Sequence, residues 1–363
     1  MKASIFQHNL RDALSMAQYV ARSNEIVVVA EPGRLKVSAK SKPQDVAISY
    51  FAEANVDQAG EIVVPSRLLS SLVAVLDKER VDLSVTKRTL NISCGHARAK
   101  ILGLDPSDSP MLQMDYTGAE YLLDPKALRL AISQVVFAAF TGDSRPVLTG
   151  IHIDFQGDRL TLAGADGYRL AVHRLAASGP PASILLPAAY LSRLCRLLSR
   201  ETESIRMRLS SDTSHAILHM CNAEMILKII PGVYPNTAQL IPPGYTTRTI
   251  VGVKEFLPAV RRAAVFNKTS GIIRLHIVQS RMTISSRHEE EGEHEESIAA
   301  QVEGPEAKIA FNSRYLLDAL RAMPGPQVAL ETTTPSSPGV FKPVGTDNYV
   351  HVVMPMFVQW EQE

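Results

Sequence analysis

Residues Arg287 to Glu296 (RHEEEGEHEE) are the densest run of groups able to bind a metal or move a proton. Its two histidines, His288 and His294, are six residues apart, whereas zinc-binding H-E-x-x-H needs both imidazoles on one helical face. The run therefore reads as a solvated acidic loop between two strands, and no metal is expected. Cys94, Cys195 and Cys221 are scattered and odd in number, with no ligand spacing, so they read as small core residues of a reducing compartment. Asp166-Gly167 is a turn signal with no base or nucleophile pair beside it, and there is no P-loop, no G-x-S-x-G and no H-x-E with paired cysteines. The chain reads as non-catalytic, without a cofactor. Chemistry of another kind comes from Arg193, Arg196 and Arg200. Spaced i, i+3 and i+7, they form a cationic stripe on one helix face, suited to phosphate.

These side chains need elements to hold them. From Leu148 to Arg174 the sequence is LTGIHIDFQGDRLTLAGADGYRLAVHR. Ile151, Ile153 and Phe155 alternate with His152 and Asp154, and Leu160 and Leu162 with Arg159 and Thr161. Gln156-Gly157-Asp158 and Ala165-Asp166-Gly167 are turns, so the segment predicts three strands in a meander. Pro125 to Phe140 ahead of it predicts an amphipathic helix. The unit recurs. Phe6 to Arg22, Leu123 to Phe140 and Val251 to Lys268 each hold a helix followed by a strand pair. Interleaved with them, Glu61 to Leu76, Ser183 to Leu198 and Lys308 to Met323 each run from an apolar strand through Pro65, Pro187 or Asn312 into an apolar helix stripe. Proline suits a helix start, and Asn312 predicts an N-cap. Pro258 is expected in the first turns of its helix.

The order is helix, strands, helix, strands, three times over, with copies starting near residues 1, 121 and 247. This predicts three α+β domains, 1–120, 121–246 and 247–363, each with two helices on one face of antiparallel sheet. The joints fall in the turn-rich stretches 106–118 and 231–247.

Length and composition agree with globular domains: 363 residues, 45% hydrophobic. No apolar run is long enough to span a bilayer. Arg11 and Asp12 interrupt the position where an export signal needs an apolar core, so the expected location is the cytoplasm. A formal net charge of +1 conceals a partition. The windows 8–22, 66–80, 125–140, 187–200, 253–268 and 312–321 together hold 16 Lys/Arg and only 5 Asp/Glu. Basic helices gathered on one surface attract phosphates without sequence readout, while the acidic remainder repels DNA from outside. That arrangement suits a protein that surrounds a duplex without gripping it.

At RPVLTGIHIDF (Arg145 to Phe155), ADGYRLAVHR (Ala165 to Arg174), FNSRYLLDAL (Phe311 to Leu320) and VVMPM (Val352 to Met356), the chain resembles the bacterial DNA polymerase III beta subunit, the sliding clamp. With the threefold repeat, the resemblance covers the whole chain, domain 1 least well. It implies a DNA-clamp fold and a head-to-tail homodimer closing a ring around duplex DNA as a processivity factor. The implied partners are the polymerase III alpha subunit, the clamp loader and other proteins carrying short clamp-binding peptides. The implied DNA-facing residues are Arg22, Lys126, Arg129, Arg145, Arg193, Arg196, Arg200, Lys254, Arg261 and Lys268. The implied dimer contacts are Ile101 and Leu102 in domain 1 and Val265 and Phe266 in domain 3.

The resemblance also implies a peptide pocket between domains 2 and 3. Carried over by position, it comprises Leu148, Gly167, Tyr168, Arg169, Leu170, Pro235, Gln239, Leu240, Asn312, Tyr315, Val352, Met354, Pro355 and Met356. Leucine, proline, valine and methionine give an adaptable apolar floor. Tyr168, Arg169 and Asn312 are expected to offer polar contacts to the peptide. Several features depart from the family. Ala165 stands where many members have threonine, and Gln239 where many have arginine. A tail, Phe357 to Glu363, follows the MPM motif, the net charge is nearly neutral, and Asn24 to Ala30 lacks the usual proline-apolar pattern. These mark a divergent or second-copy clamp. The competing reading is a protein-binding scaffold of the same fold that never encircles DNA.

Overall fold

Among the described residues, six α-helices form where the apolar stripes predict them: α1 Gln7–Ala21, α2 Ser66–Val75, α3 Pro125–Val135, α4 Ala188–Leu198, α5 Val253–Ala263 and α6 Ser313–Ala322. The computed structural model describes residues 1–41, 46–104, 117–266, 271–288, 290 and 292–360. Asn312 caps α6, its side-chain oxygen accepting from the Arg314 amide at 3.0 Å. Pro258 lies in the second turn of α5, within the first turns where it is expected, and one intrahelical hydrogen bond is forgone there. The helix is held by burial of Phe256, Ala259, Val260 and Ala263.

Each repeat is itself a pair of similar halves, a strand leading into a helix and then a three-strand meander. In the second repeat the first half runs Glu120–Leu123, α3, then Gly150–Gln156, Arg159–Ala165 and Arg169–Ala176. The second half runs Ala182–Pro187, α4, then Ile205–Leu209, His215–His219 and Ala223–Lys228. The meander 150–176 thus takes the register that its alternation predicts, with Ile153 opposite Leu162 and Leu162 opposite His173.

The chain separates into two compact units. One comprises Met1–Arg129, Ala177–Pro180 and Ala189–Ile229, the other Leu130–Ala176, Pro181–Ala188 and Ile230–Glu363. Each contains a sheet shared by neighbouring repeats. In the first unit, strand Val46–Glu53 of repeat one pairs antiparallel with Ala223–Lys228 of repeat two, completing an eight-stranded sheet. In the second, Arg169–Ala176 of repeat two pairs with Tyr349–Val353 of repeat three, completing a nine-stranded sheet. Each unit also carries a smaller sheet ending on a free edge among the described residues. These edges are Ala97–Leu102 in the five-stranded sheet and Gly292–Ala299 in the four-stranded one.

Two expectations change here. The acidic run 287–296 is not a loop: its described residues lie mostly in a hairpin, with Arg287 opposite Glu293 and Ser285 opposite Glu295. The alternation of exposed Glu293 and Glu295 with half-buried His294 and Glu296 is a strand pattern, and Arg262 from α5 grips Glu296 with two bonds of 2.8 and 2.6 Å. Cys221 is exposed in a turn, whereas Cys94 is buried. No helix is long and apolar enough to cross a membrane, and no metal-ligating cluster occurs among the described residues.

Candidate functional site

The predicted peptide-pocket residues fall in the second compact unit, around the turn that joins Arg159–Ala165 to Arg169–Ala176. Gly167 occupies φ +93°, a region closed to most side chains, and an added Cβ would lie 2.7 Å from the Arg145 guanidinium. The Asp166 carboxylate fastens the turn by accepting from the Tyr168 and Arg169 amides at 2.9 and 3.0 Å. Beneath it, Ala165, Leu170, Val172, Tyr234, Val350 and Val352 form a buried cluster, with Val147, Leu148, Ile230 and Ile241 packed half-exposed against it. The floor is continuous because Leu170 stands opposite Val352 in the shared sheet.

Above this floor Tyr168 is 61% exposed and Met354 44% exposed, and Leu240 projects from a short 3-10 turn, Thr237–Leu240. Pro235 and Gln239 are exposed beside it, and Met356 and Pro355 are half-buried. The terminal segment is held by two backbone bonds, Met354 N–H to Tyr168 O at 2.8 Å and Met356 N–H to Ala310 O at 2.7 Å. Tyr315 of α6 stacks against Tyr168 with centroids 6.4 Å apart. Unpaired apolar groups on a rigid base, ringed by aromatic and amide groups, make a surface fit for an extended peptide.

Arg169 does not take the place expected of it. It is 6% exposed and every side of its guanidinium is occupied. Nε donates to Asp166 at 3.0 Å, Nη1 to Asp318 at 2.7 Å and Nη2 to Phe137 O at 2.5 Å, and the group lies over the Tyr315 and Phe137 rings. It fastens the turn, α6 and the 3-10 turn Val136–Ala138 together, and at 6% exposure it serves the fold rather than a peptide. Asn312 is likewise committed through its oxygen, as the cap of α6.

Two buried histidines lie alongside. His351 is fully buried against the Phe137 ring. Burial, and secondarily the Arg169 charge, lowers its pKa to about 3. His173, in a 2.6 Å bond with Gln134, is lowered by burial to about 4. In the unfolded chain both protonate near pH 6.5. Between that pH and the folded values the unfolded chain binds more protons, so stability is full above pH 6.5 and falls as the pH drops towards 4 and below. The unfolding free energy is expected to fall by about 4 kcal/mol between pH 8 and pH 5 from these two groups. His351→Phe should remove about half of that dependence in denaturant titrations, because its ring keeps the stacking and cannot protonate.

The helix arginines lie mostly in the first unit. The stripe on α4 does face one way, but it runs along α1. Arg193 donates to Val20 O at 2.7 Å, Arg196 lies over the Tyr19 ring at 4.9 Å, and Arg200 pairs with Asp12 at 3.3 Å. Arg193 thus staples α4 to α1, and Arg196, exposed, lines a cavity. Arg22 sits exposed in a left-handed conformation at the end of α1, and Lys126 and Arg129 are exposed on α3. In the second unit Lys254 and Arg261 are exposed on α5, and Arg145 lies against the Gly167 turn. Lys268 is outside the described residues. Cys195 bonds weakly to Arg129 O, and burial raises its pKa to about 11, which makes it an inert packing thiol.

Of the expected dimer contacts, Ile101 is a correction. It is 3% exposed and belongs to the monomer core, whereas Leu102, one residue on, is 79% exposed. The strand alternation places them on opposite faces. Leu104, which no motif marks, is also exposed, as is Val265, while Phe266 is half-buried against His294 at 5.6 Å.

Comparison with known proteins gives one answer along the chain. Residues 9–113, 122–236 and 238–357 match the family models of the N-terminal, central and C-terminal domains of the DNA polymerase III beta subunit. The beta sliding clamp of Staphylococcus aureus (strain Mu50) is 30% identical over 309 residues, 83% of this chain and 81% of its own length. That of Staphylococcus epidermidis is 28% identical over 343 residues, 93% and 89% of the two chains. The crystal structure of the DNA polymerase sliding clamp from Bacillus subtilis superposes with a TM-score of 0.93 at 25% identity, covering 99% of this chain and 100% of that one.

Proposed function

The chain belongs to the DNA polymerase III beta subunit family, the bacterial sliding clamps, which are non-catalytic processivity subunits, and on that premise we propose that two copies close head to tail into a ring around duplex DNA. The ring tethers the polymerase alpha subunit, the clamp loader and repair proteins in the cytoplasm. The repeats 1–120, 121–246 and 247–363 are its six domains in two copies.

The observation that carries this reading is how neighbouring repeats share sheets. The last strand of a repeat's first meander pairs with the last strand of the next repeat's second meander, at 46–53 with 223–228 and again at 169–176 with 349–353. The same step taken once more joins 292–299 of repeat three to 97–102 of repeat one. Both are edges in a single chain, so the partner is a second copy, and a heterologous contact of this kind closes or polymerises. The edges are complementary in charge: Arg98 and Lys100 on one, Glu293 and Glu295 on the other, all exposed. Leu102, Leu104, Val265 and Phe266 supply the apolar part. The basic helices face the duplex, and topological linkage replaces affinity.

The test is retention on circular DNA. Clamp loaded onto a nicked plasmid should stay through gel filtration and be lost once the plasmid is linearised. Equal loss from circle and line would favour the non-encircling scaffold. Docking is tested separately. Leu240→Ala and Met354→Ala should each weaken a labelled alpha-subunit clamp-binding peptide roughly 10-fold in anisotropy titrations, with the dimer intact.

A further inference from the structure

Residues Arg11, Ser15, Gln18 and Arg22 recur at i, i+4, i+7 and i+11, a single polar stripe on α1. Together with Ser70 and Ala74 of α2 and Arg196 of α4 they line a cavity of about 430 Å³ in the first compact unit. Arg11, Arg22 and Arg196 have no carboxylate partner among the described residues. The nearby acid, Asp12, is taken by Arg200. Arg196 is held over the Tyr19 ring, which fixes where its charge stands. Ser70 adds an independent sign. Ser133 of α3 and Ser199 just past α4 donate to the backbone one turn back, but the Ser70 hydroxyl is buried with no hydrogen-bond partner. A buried donor without a partner, beside three uncompensated guanidiniums, is what a tetrahedral anion satisfies.

We propose that this cavity between α1, α2 and α4 is a seat for one phosphate group, bound by Arg11, Arg22, Arg196 and the Ser70 hydroxyl. The phosphate is supplied either by the DNA backbone or by a free phosphate compound. Arg22 reaches it from the left-handed end of α1, at φ 50°, which aims its side chain differently from a further helical turn. The DNA arm rests on the ring reading. It adds that the clamp's hold on a duplex is a discrete, shared contact and not only a diffuse field.

The full-length protein is titrated onto a fluorescent duplex over a range of NaCl concentrations, with Arg11→Gln, Arg22→Asn and Arg196→Gln singly and combined. Asparagine is chosen at 22 because it tolerates the left-handed conformation. One shared phosphate caps the loss: each single variant lowers the slope of log K against log salt by less than about 0.9, and the triple variant by about 0.9 in all. Stepwise loss reaching about 2.7 in the triple would mean three separate contacts and would overturn the seat. Ser70→Ala should weaken binding about two- to fivefold without changing the slope, since it removes no charge.

The second arm uses inorganic phosphate alone. Phosphate should raise the melting temperature of the wild type and not of the triple variant. If it does so while the duplex slope stays fixed, the seat holds and its occupant is a free phosphate compound. If phosphate protects both proteins alike and the slope is unchanged, there is no seat. Failure of the wild type to stay on circular DNA would overturn the ring reading and leave the inorganic-phosphate result standing.

Discussion

Arg169→Met is expected to destabilise the second compact unit by about 3–5 kcal/mol and to abolish peptide docking, although Arg169 touches no peptide. The side chain is 4% exposed, and its partners Asp166 and Asp318 are 11% and 20% exposed. Removing the cation leaves two largely buried carboxylates facing each other's field and the Phe137 carbonyl unpaired. The same change frees the turn at Gly167, the base on which Tyr168 and the terminal strand are mounted. Arg169→Lys should recover little, because one ammonium cannot reach three acceptors in the plane that the guanidinium spans. Pairing Arg169→Met with Asp166→Asn and Asp318→Asn should restore much of the stability, because the orphaned charges go too. Urea titrations of the four proteins, with peptide anisotropy alongside, separate these outcomes. If Arg169→Met unfolds within about 1 kcal/mol of the parent, the hub assignment is wrong.

Arg98→Glu combined with Lys100→Glu should convert the dimer to monomer at micromolar concentration, a weakening of 100-fold or more on the order of 3 kcal/mol. Two like-charged edges then meet, at a cost of several kcal/mol per close juxtaposition. Fold stability should hardly change, because both side chains are exposed and stand on a solvated sheet face. Mixing that protein with a chain carrying Glu293→Lys and Glu295→Lys should restore a mixed dimer, because one of its two junctions is charge-reversed, the other is native, and both are complementary. Sedimentation velocity reads each state. Dimers that persist unchanged in both reversed proteins would place the subunit contact on another surface.

Local order was legible along the chain because local chemistry sets it. The apolar stripes drew the helices, and the alternation from Ile151 to Leu162 matches which side chains of the first two strands face the core, whereas from Ala163 to His173 both faces of the strands are buried. The Asn312 cap, the turn at Gly167 and the threefold recurrence of helix and strands follow from sequence for the same reason. Long-range partners carry no such signal. Arg169 reads as an exposed turn residue until Asp318, 149 positions away, and the Phe137 carbonyl close on it. The stripe of Arg193, Arg196 and Arg200 has the right spacing for one face, yet only packing against α1 decides that Arg193 is spent on Val20 while Arg196 lines a cavity. Ile101 and Leu102 are equivalent in composition, and a single step of strand register separates core from surface. Sequence determined the elements and their repetition, because helix and strand periods are set by neighbours within a few residues. Tertiary structure alone decided which strands of different repeats share a sheet and which charges are compensated, because hydrogen-bonded edges and buried ion pairs choose partners by distance in space.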